Sequence, residues 1–163
     1  MTWIYFDEKD RSSPMRECKF RTPDGKNISL RQNYGDCNLV LYFAHSLDCA
    51  ACKEVMWELL RHEREIFELD GCIFIILPEF PADNGAWPRV SARCTELLVD
   101  EGGRAKQEFT RELANVDESS AVLYILDEYQ APYAALAGDE LDTTDLYTDI
   151  ASWLSYIQIQ CPE

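Results

Sequence analysis

The chain has 163 residues, of which 15 are basic and 30 acidic, giving a formal net charge of −15 at pH 7, and 47% of it is apolar with 12% aromatic. That length and apolar content suit one compact core, while the negative balance argues against nucleic-acid phosphates and anionic lipid as partners. The opening residues lack a basic stretch followed by a long apolar run, and no segment approaches membrane-spanning length, so a soluble, cytoplasmic protein is expected.

Residues 1–17 are polar and mixed in charge and read as a loosely ordered lead-in, leaving residues 18–163 as a single domain. Within residues 18–30, Thr22-Pro23-Asp24-Gly25 is a turn signal between two short runs, which predicts an N-terminal β-hairpin of edge strands. Residues 39–43, Leu-Val-Leu-Tyr-Phe, are continuously apolar, as expected of a strand covered on both faces, and residues 72–77 repeat the pattern after Asp70-Gly71. Between them Cys52, Val55, Met56, Leu59, Leu60 and Phe67 recur at steps of three and four among charged residues, predicting one amphipathic helix of about five turns. Strand, helix and strand in this order make a βαβ unit with parallel strands.

Residues 78–88 hold three prolines, Asn84-Gly85 and Trp87, and read as an exposed connection. A helix over residues 87–96, a short apolar run at 97–99, a turn at 100–103 and a helix over 104–114 follow. Residues 121–126 predict another buried strand, turned by residues 127–130 into an antiparallel partner at 131–136, so the sheet is expected to be mixed. Asp142 or Thr143 can cap a last helix, whose stripe of Leu146, Ile150, Trp153, Leu154 and Ile157 reads as core packing.

The seven cysteines are odd in number and irregularly spaced, which does not look like a secreted disulfide framework and fits a reducing compartment. Cys72 reads as a buried structural thiol; Cys18, Cys37 and Cys94 have no neighbours that suggest a role, and Cys161 stands in the tail. Cys49-Ala50-Ala51-Cys52 is different because it falls at a strand-to-helix turn. A cysteine in a helix's first turn faces unpaired backbone N–H groups and the positive end of the helix dipole, both of which favour thiolate over thiol. Cys49 is therefore the candidate nucleophile, and Cys52, one turn later, can attack a mixed disulfide formed on it. Asp48 should oppose the thiolate, and His45 and Ser46 are further candidate modulators.

Four segments together resemble the thioredoxin-like superfamily, in its redoxin and peroxiredoxin-like branch. They are residues 20–30; residues 38–53, Asn-Leu-Val-Leu-Tyr-Phe-Ala-His-Ser-Leu-Asp-Cys-Ala-Ala-Cys-Lys; residues 97–104; and residues 121–127. The resemblance spans most of the domain and implies an α/β, thioredoxin-like fold, a central mixed sheet flanked by helices, with Cys49 attacking and Cys52 resolving. Asp48 stands where such enzymes commonly carry tryptophan, and residues 119–122 contain no proline where the family usually has a cis proline facing the site. The peroxidase pattern P-x-x-x-T/S-x-x-C, read onto Cys49, keeps a hydroxyl at Ser46 but has Tyr42 in place of proline.

The function expected is thiol–disulfide exchange, acting on a disulfide-containing protein or a small-molecule thiol or peroxide and recharged by a thiol reductant system. Peroxide reduction through Cys49 and a non-catalytic adaptor role, through residues 78–88 or the acidic C-terminal region, remain as alternatives. No cofactor is expected, and no metal, since a C-x-x-C needs two more ligands and only scattered candidates such as His45 and Cys94 stand outside it.

Overall fold

The computed structural model describes residues 2–12, 17–82 and 94–160. Eight strands form one mixed sheet: β1 (Ile4–Tyr5), β2 (Lys19–Arg21), β3 (Asn27–Ser29), β4 (Asn38–Phe43), β5 (Gly71–Leu77), β6 (Thr95–Val99), β7 (Ala121–Leu126) and β8 (Pro132–Gly138), in the order β1-β8-β7-β4-β5-β6-β2-β3. β4, β5 and β6 run parallel, and β7 lies antiparallel to β4 on its other side. Every residue of β4 and β7 is buried, which is why both read as unbroken apolar runs rather than alternating ones.

The two faces of the sheet carry separate cores. Val40, Tyr42 and Ala44 point with Ile73 and Ile75 toward α2 (Ala50–Arg61), α3 (Glu63–Glu68) and α5 (Leu146–Gln160). Leu39, Leu41 and Phe43 point the other way, onto α4 (Arg104–Thr110) and the hairpin residue Phe20. Alternation along one strand thus feeds two helix layers. The expected hairpin is present, with Phe20 opposite Ile28, as are the βαβ unit and the antiparallel β7–β8 pair.

Four expectations need correcting. The lead-in is partly structured: it holds a short helix, α1 (Glu8–Arg11), β1 pairs with β8, Ile4 opposite Ala135, and the Trp3 indole donates to Asp149 at 2.9 Å. Its strand is too short for periodicity to reveal, and its partners lie far along the chain.

The single helix of five turns is two. The chain leaves helical geometry at His62, whose ring stacks on Tyr147 of α5 at 3.9 Å and bonds Glu58 at 3.1 Å; beyond this kink Ile66 is buried, whereas Phe67 is 45% exposed.

Most of the helix expected over residues 87–96 lies outside the described residues, but Thr95 and Glu96 belong to β6, paired with Ile73 and Phe74. Residues 83–88 of the proline-rich connection, Trp87 among them, and Cys161 also lie outside.

Cys72 is not a lone thiol. It forms a disulfide with Cys37, Cα atoms 6.1 Å apart. Leu39 is paired with Cys72 across β4 and β5, so Cys37, just before β4, falls within bridging distance of the neighbouring strand.

Gly71, entering β5 after Asp70 at φ 57°, is required by space. A Cβ there would meet Ile66 Cγ2 at 2.8 Å and Leu154 Cδ1 at 2.9 Å, so α3 and α5 close over the start of β5 only because that position lacks a side chain.

Candidate functional site

Hydrogen bonding along β4 extends one residue past the strand, the Ala44 N–H donating to Ile76 O at 3.0 Å, before the chain turns through residues 45–48 into α2. The Asp48 N–H donates to Ser46 Oγ at 3.1 Å, so the serine hydroxyl braces this turn. Cys49 is the N-cap of α2, extended at φ −76° and ψ 120°. Its carbonyl accepts from Lys53 N at 3.1 Å, and its sulfur accepts from Cys52 N at 3.3 Å. A sulfur thus fills the role a serine or aspartate oxygen usually plays at a helix start.

The two thiols differ in surroundings. Cys49 is half-buried, whereas Cys52 is 1% exposed and packs with Val55, Met56 and Leu59 in the core beneath the helix. Half-buried His45 brings Nδ1 to 3.2 Å from the Cys52 sulfur. Below them the Tyr42 hydroxyl is buried without a hydrogen-bond partner among the described residues; burial, with the adjacent Cys52 thiol adding to it, pushes its pKa well above the ordinary phenol value. Asp48 is exposed.

The structure therefore brings Cys49, Cys52 and His45 together, one ligand atom from each within 4.8 Å of the others, a set able to hold a soft metal ion. Cys94, the other candidate ligand, lies just before β6 at the opposite end of the sheet from His45.

A cleft of about 590 Å³ opens beside His45, with an apolar floor of Phe43, Ile76 and Leu77 and a polar wall carrying Lys106 and Asp117. Burial lowers the Lys106 pKa against the opposing pull of Asp117 and Cys52, and its ammonium donates to the Glu118 carbonyl at 3.0 Å. Phe43 is paired with Val122, which sets the turn before β7 beside the end of β4; Ser120 is buried there and bonds Asp117. No cis peptide occurs among the described residues.

Sequence reasoning missed Tyr42 and Lys106. Tyr42 carries the one polar side-chain atom within the 39–43 run, which marks it in retrospect; Lys106 carries no such mark, since its half-burial depends on the fold.

No protein-family model and no curated protein matches the sequence. Solved structures do match in fold. A peroxidoxin, BcpB, from Mycobacterium tuberculosis superposes with a TM-score of 0.68 at 12% identity, over 89% of this chain and 96% of that one. BsSco, a member of the Sco family of cytochrome c oxidase assembly proteins, gives 0.64 at 16% identity, over 90% and 94%. A putative thiol:disulfide interchange protein DsbE from Chlorobium tepidum gives 0.64 at 12%, over 87% and 96%. The fold is thioredoxin-like, an α/β mixed sheet flanked by helices, as the resemblance implied.

Proposed function

We propose that the chain is a thiol–disulfide oxidoreductase in which Cys49 attacks and Cys52 resolves. One observation carries this reading: in a thioredoxin-like fold, the sulfur of a half-buried cysteine caps the helix that follows a central strand, and a buried second cysteine sits one turn behind it. The Cys52 N–H, aimed at the Cys49 sulfur, lies where negative charge gathers when that sulfur attacks or leaves.

In the first step a Cys49 thiolate attacks a substrate disulfide, forming a mixed disulfide and releasing one substrate thiolate. Cys52, after losing its proton, then attacks the Cys49 sulfur, closing the Cys49–Cys52 disulfide and releasing the second thiolate. The substrate gains two electrons and the chain loses two, which a thiol reductant restores. His45 positions the Cys52 sulfur, and the cleft beside it gives the substrate's flanking groups a partly apolar seat. Disulfide-bearing proteins and small thiols fit this chemistry.

A glutathione redox titration with alkylation and peptide mapping tests the reading. One reversible Cys49–Cys52 disulfide is expected, and Cys49→Ser should abolish dithiol-dependent reduction of a model protein disulfide. Full turnover by that variant would sink the assignment.

Peroxide reduction through Cys49 is a second reading, favoured by the half-buried Cys49 at the helix start and by the likeness to a peroxidoxin. Against it, Tyr42 stands where the peroxidase pattern has a proline. Stoichiometric peroxide that leaves Cys49 neither a sulfenic acid nor a disulfide would eliminate it.

Among the described residues no helix is long and apolar enough to cross a membrane. In the cytoplasm, the Cys37–Cys72 disulfide would persist only if its potential lay below that of the glutathione pool. A pair found reduced in intact cells therefore supports the cytoplasmic setting, whereas an oxidised pair supports an oxidising one once its measured potential lies above that of the glutathione pool.

A further inference from the structure

We propose that reduced Cys49 and Cys52, with His45, form a Zn(II) site, and that metal binding and disulfide formation exclude one another at the same two sulfurs. A tetrahedral zinc with Zn–S near 2.3 Å and Zn–N near 2.0 Å needs ligand atoms roughly 3.5–3.8 Å apart. The Cys52 sulfur and His45 Nδ1 are 3.2 Å apart, and all three ligand atoms lie within 4.8 Å of one another. Side-chain rotation of tenths of an ångström up to about 1 Å therefore closes the shell, with no movement of β4 or α2 required.

The three residues come from one continuous turn and helix start, braced by the Ser46–Asp48 and Cys49–Cys52 backbone contacts, so the site is largely formed before the ion arrives. Two thiolates balance the dication, so the loaded site is electrically neutral, and exposed Asp48 beside it and the chain's net charge of −15 both favour a cation. Three protein ligands leave a fourth position for water or a substrate sulfur, the pattern of exchangeable rather than structural zinc.

Loading is Zn²⁺ plus two thiols and one imidazole, giving the complex and two protons; no electrons move. A substrate disulfide, taking up two electrons to become two thiols, oxidises the pair to the Cys49–Cys52 disulfide, which removes both thiolates and releases Zn²⁺; a dithiol, itself oxidised to a disulfide, returns the two electrons and restores the site.

The test takes the full chain, reduced with a non-chelating phosphine, and titrates Zn(II) against a chromophoric chelator, with Co(II) as a spectroscopic substitute. One ion per chain is expected, with a thiolate-to-cobalt charge-transfer band and a tetrahedral visible spectrum. Cys49→Ser should remove the band's intensity in part and His45→Ala should weaken binding about tenfold or more, while Cys94→Ser should leave both unchanged. Bound Zn(II) should also slow alkylation of Cys49 and Cys52.

Thermal unfolding of each variant separates loss of a ligand from loss of the fold, and the half-buried Cys49 and His45 are the positions least able to disturb it. No binding beyond that of the Cys49→Ser chain, or an unchanged affinity and spectrum in His45→Ala, overturns the site. A reversible disulfide without zinc binding refutes the zinc site and leaves the oxidoreductase reading standing, whereas zinc binding without a disulfide leaves the zinc site standing and refutes both its exclusion by oxidation and the oxidoreductase reading.

Discussion

Removing the Cys37–Cys72 disulfide should cost far more stability than removing the C-x-x-C pair. The two cysteines stand 35 positions apart, and the loop they close contains β4, α2 and α3 with His45, Cys49 and Cys52. Closing a loop of that length takes about 12.7 cal/mol/K from the unfolded chain on the chain-entropy estimate, or about 3.8 kcal/mol at 25 °C. For a domain of this size each kcal/mol moves the thermal midpoint by about 2–4 °C, so the shift should be about 8–15 °C. The assay is urea and thermal unfolding of the oxidised wild type, the wild type under reductant, and a Cys37→Ala, Cys72→Ala double variant. Reductant and the double variant should lower the midpoint by similar amounts, whereas Cys49→Ser should leave it nearly unmoved, because Cys49 is a free thiol in this structure and serine keeps an acceptor at the N-cap of α2. If the double variant unfolds at the wild-type midpoint while Cys37 and Cys72 are shown to be oxidised in the wild type, the loop-closure argument fails.

Gly71→Ala should destabilise the fold by roughly 1–3 kcal/mol, read as a lower urea midpoint, because the new methyl overlaps Ile66 and Leu154. Tyr42→Phe should unfold at the wild-type midpoint or above it, since it deletes a buried hydroxyl that has no hydrogen-bond partner among the described residues; a loss beyond about 1 kcal/mol would reveal a bond the structure does not contain. Burial pushes the Cys18 thiol up to about 11 from 9.0, so at pH 8 its thiolate fraction should be roughly 100-fold below that of an ordinary thiol, and timed alkylation should label Cys49 well before it. The raised value also means that this group's contribution to stability holds below pH 9 and is lost as pH rises through about 11. Burial likewise raises the Asp127 carboxyl although it accepts bonds from Tyr129 N and Ala131 N; its contribution is present below pH 3.8 and lost as pH rises through the raised value, and Asp127→Asn, which keeps an acceptor oxygen, should abolish that dependence in midpoints compared at acid and neutral pH.

The elements legible in the sequence are those whose burial is uniform or strictly periodic. β4, β5 and β7 announce themselves as apolar runs because both faces are covered, and α5 because Leu146, Ile150, Leu154 and Ile157 share one face. β1 has no such signature: two residues cannot show a period, and what holds them is Ala134 and Ala135, about 130 positions away. The kink at His62 was equally hidden, because the apolar stripe passes from Leu59 to Ile66 at helical spacing and only the stacking of His62 on Tyr147 marks where the axis breaks.

The cysteine pairing follows from register rather than spacing. Counting cysteines left Cys37 without a role, yet once Leu39 is set opposite Cys72, Cys37 falls on the neighbouring strand's flank and the bridge is short.

The same register explains why the molecule keeps its two cysteine pairs apart. Cys37–Cys72 ties the first residues of the parallel β4–β5 pair, where the chain enters both strands and a cross-link restricts nothing that must move. Cys49 and Cys52 lie past the other end of β4, where parallel strands conventionally present their loops to ligands. There the backbone spends its hydrogen bonds on a tight turn and a helix cap, and His45 Nδ1 lies 3.2 Å from the buried Cys52 sulfur. On the proposed function, this dithiol changes state, to disulfide or to metal complex, by rotating side chains at a helix start while the sheet beneath, cross-linked at its far end, stays fixed. The placement therefore predicts that oxidation of Cys49 and Cys52 will leave amide-exchange protection of β4 and β5 intact, whereas reduction of Cys37–Cys72 will loosen those strands from the end opposite the site.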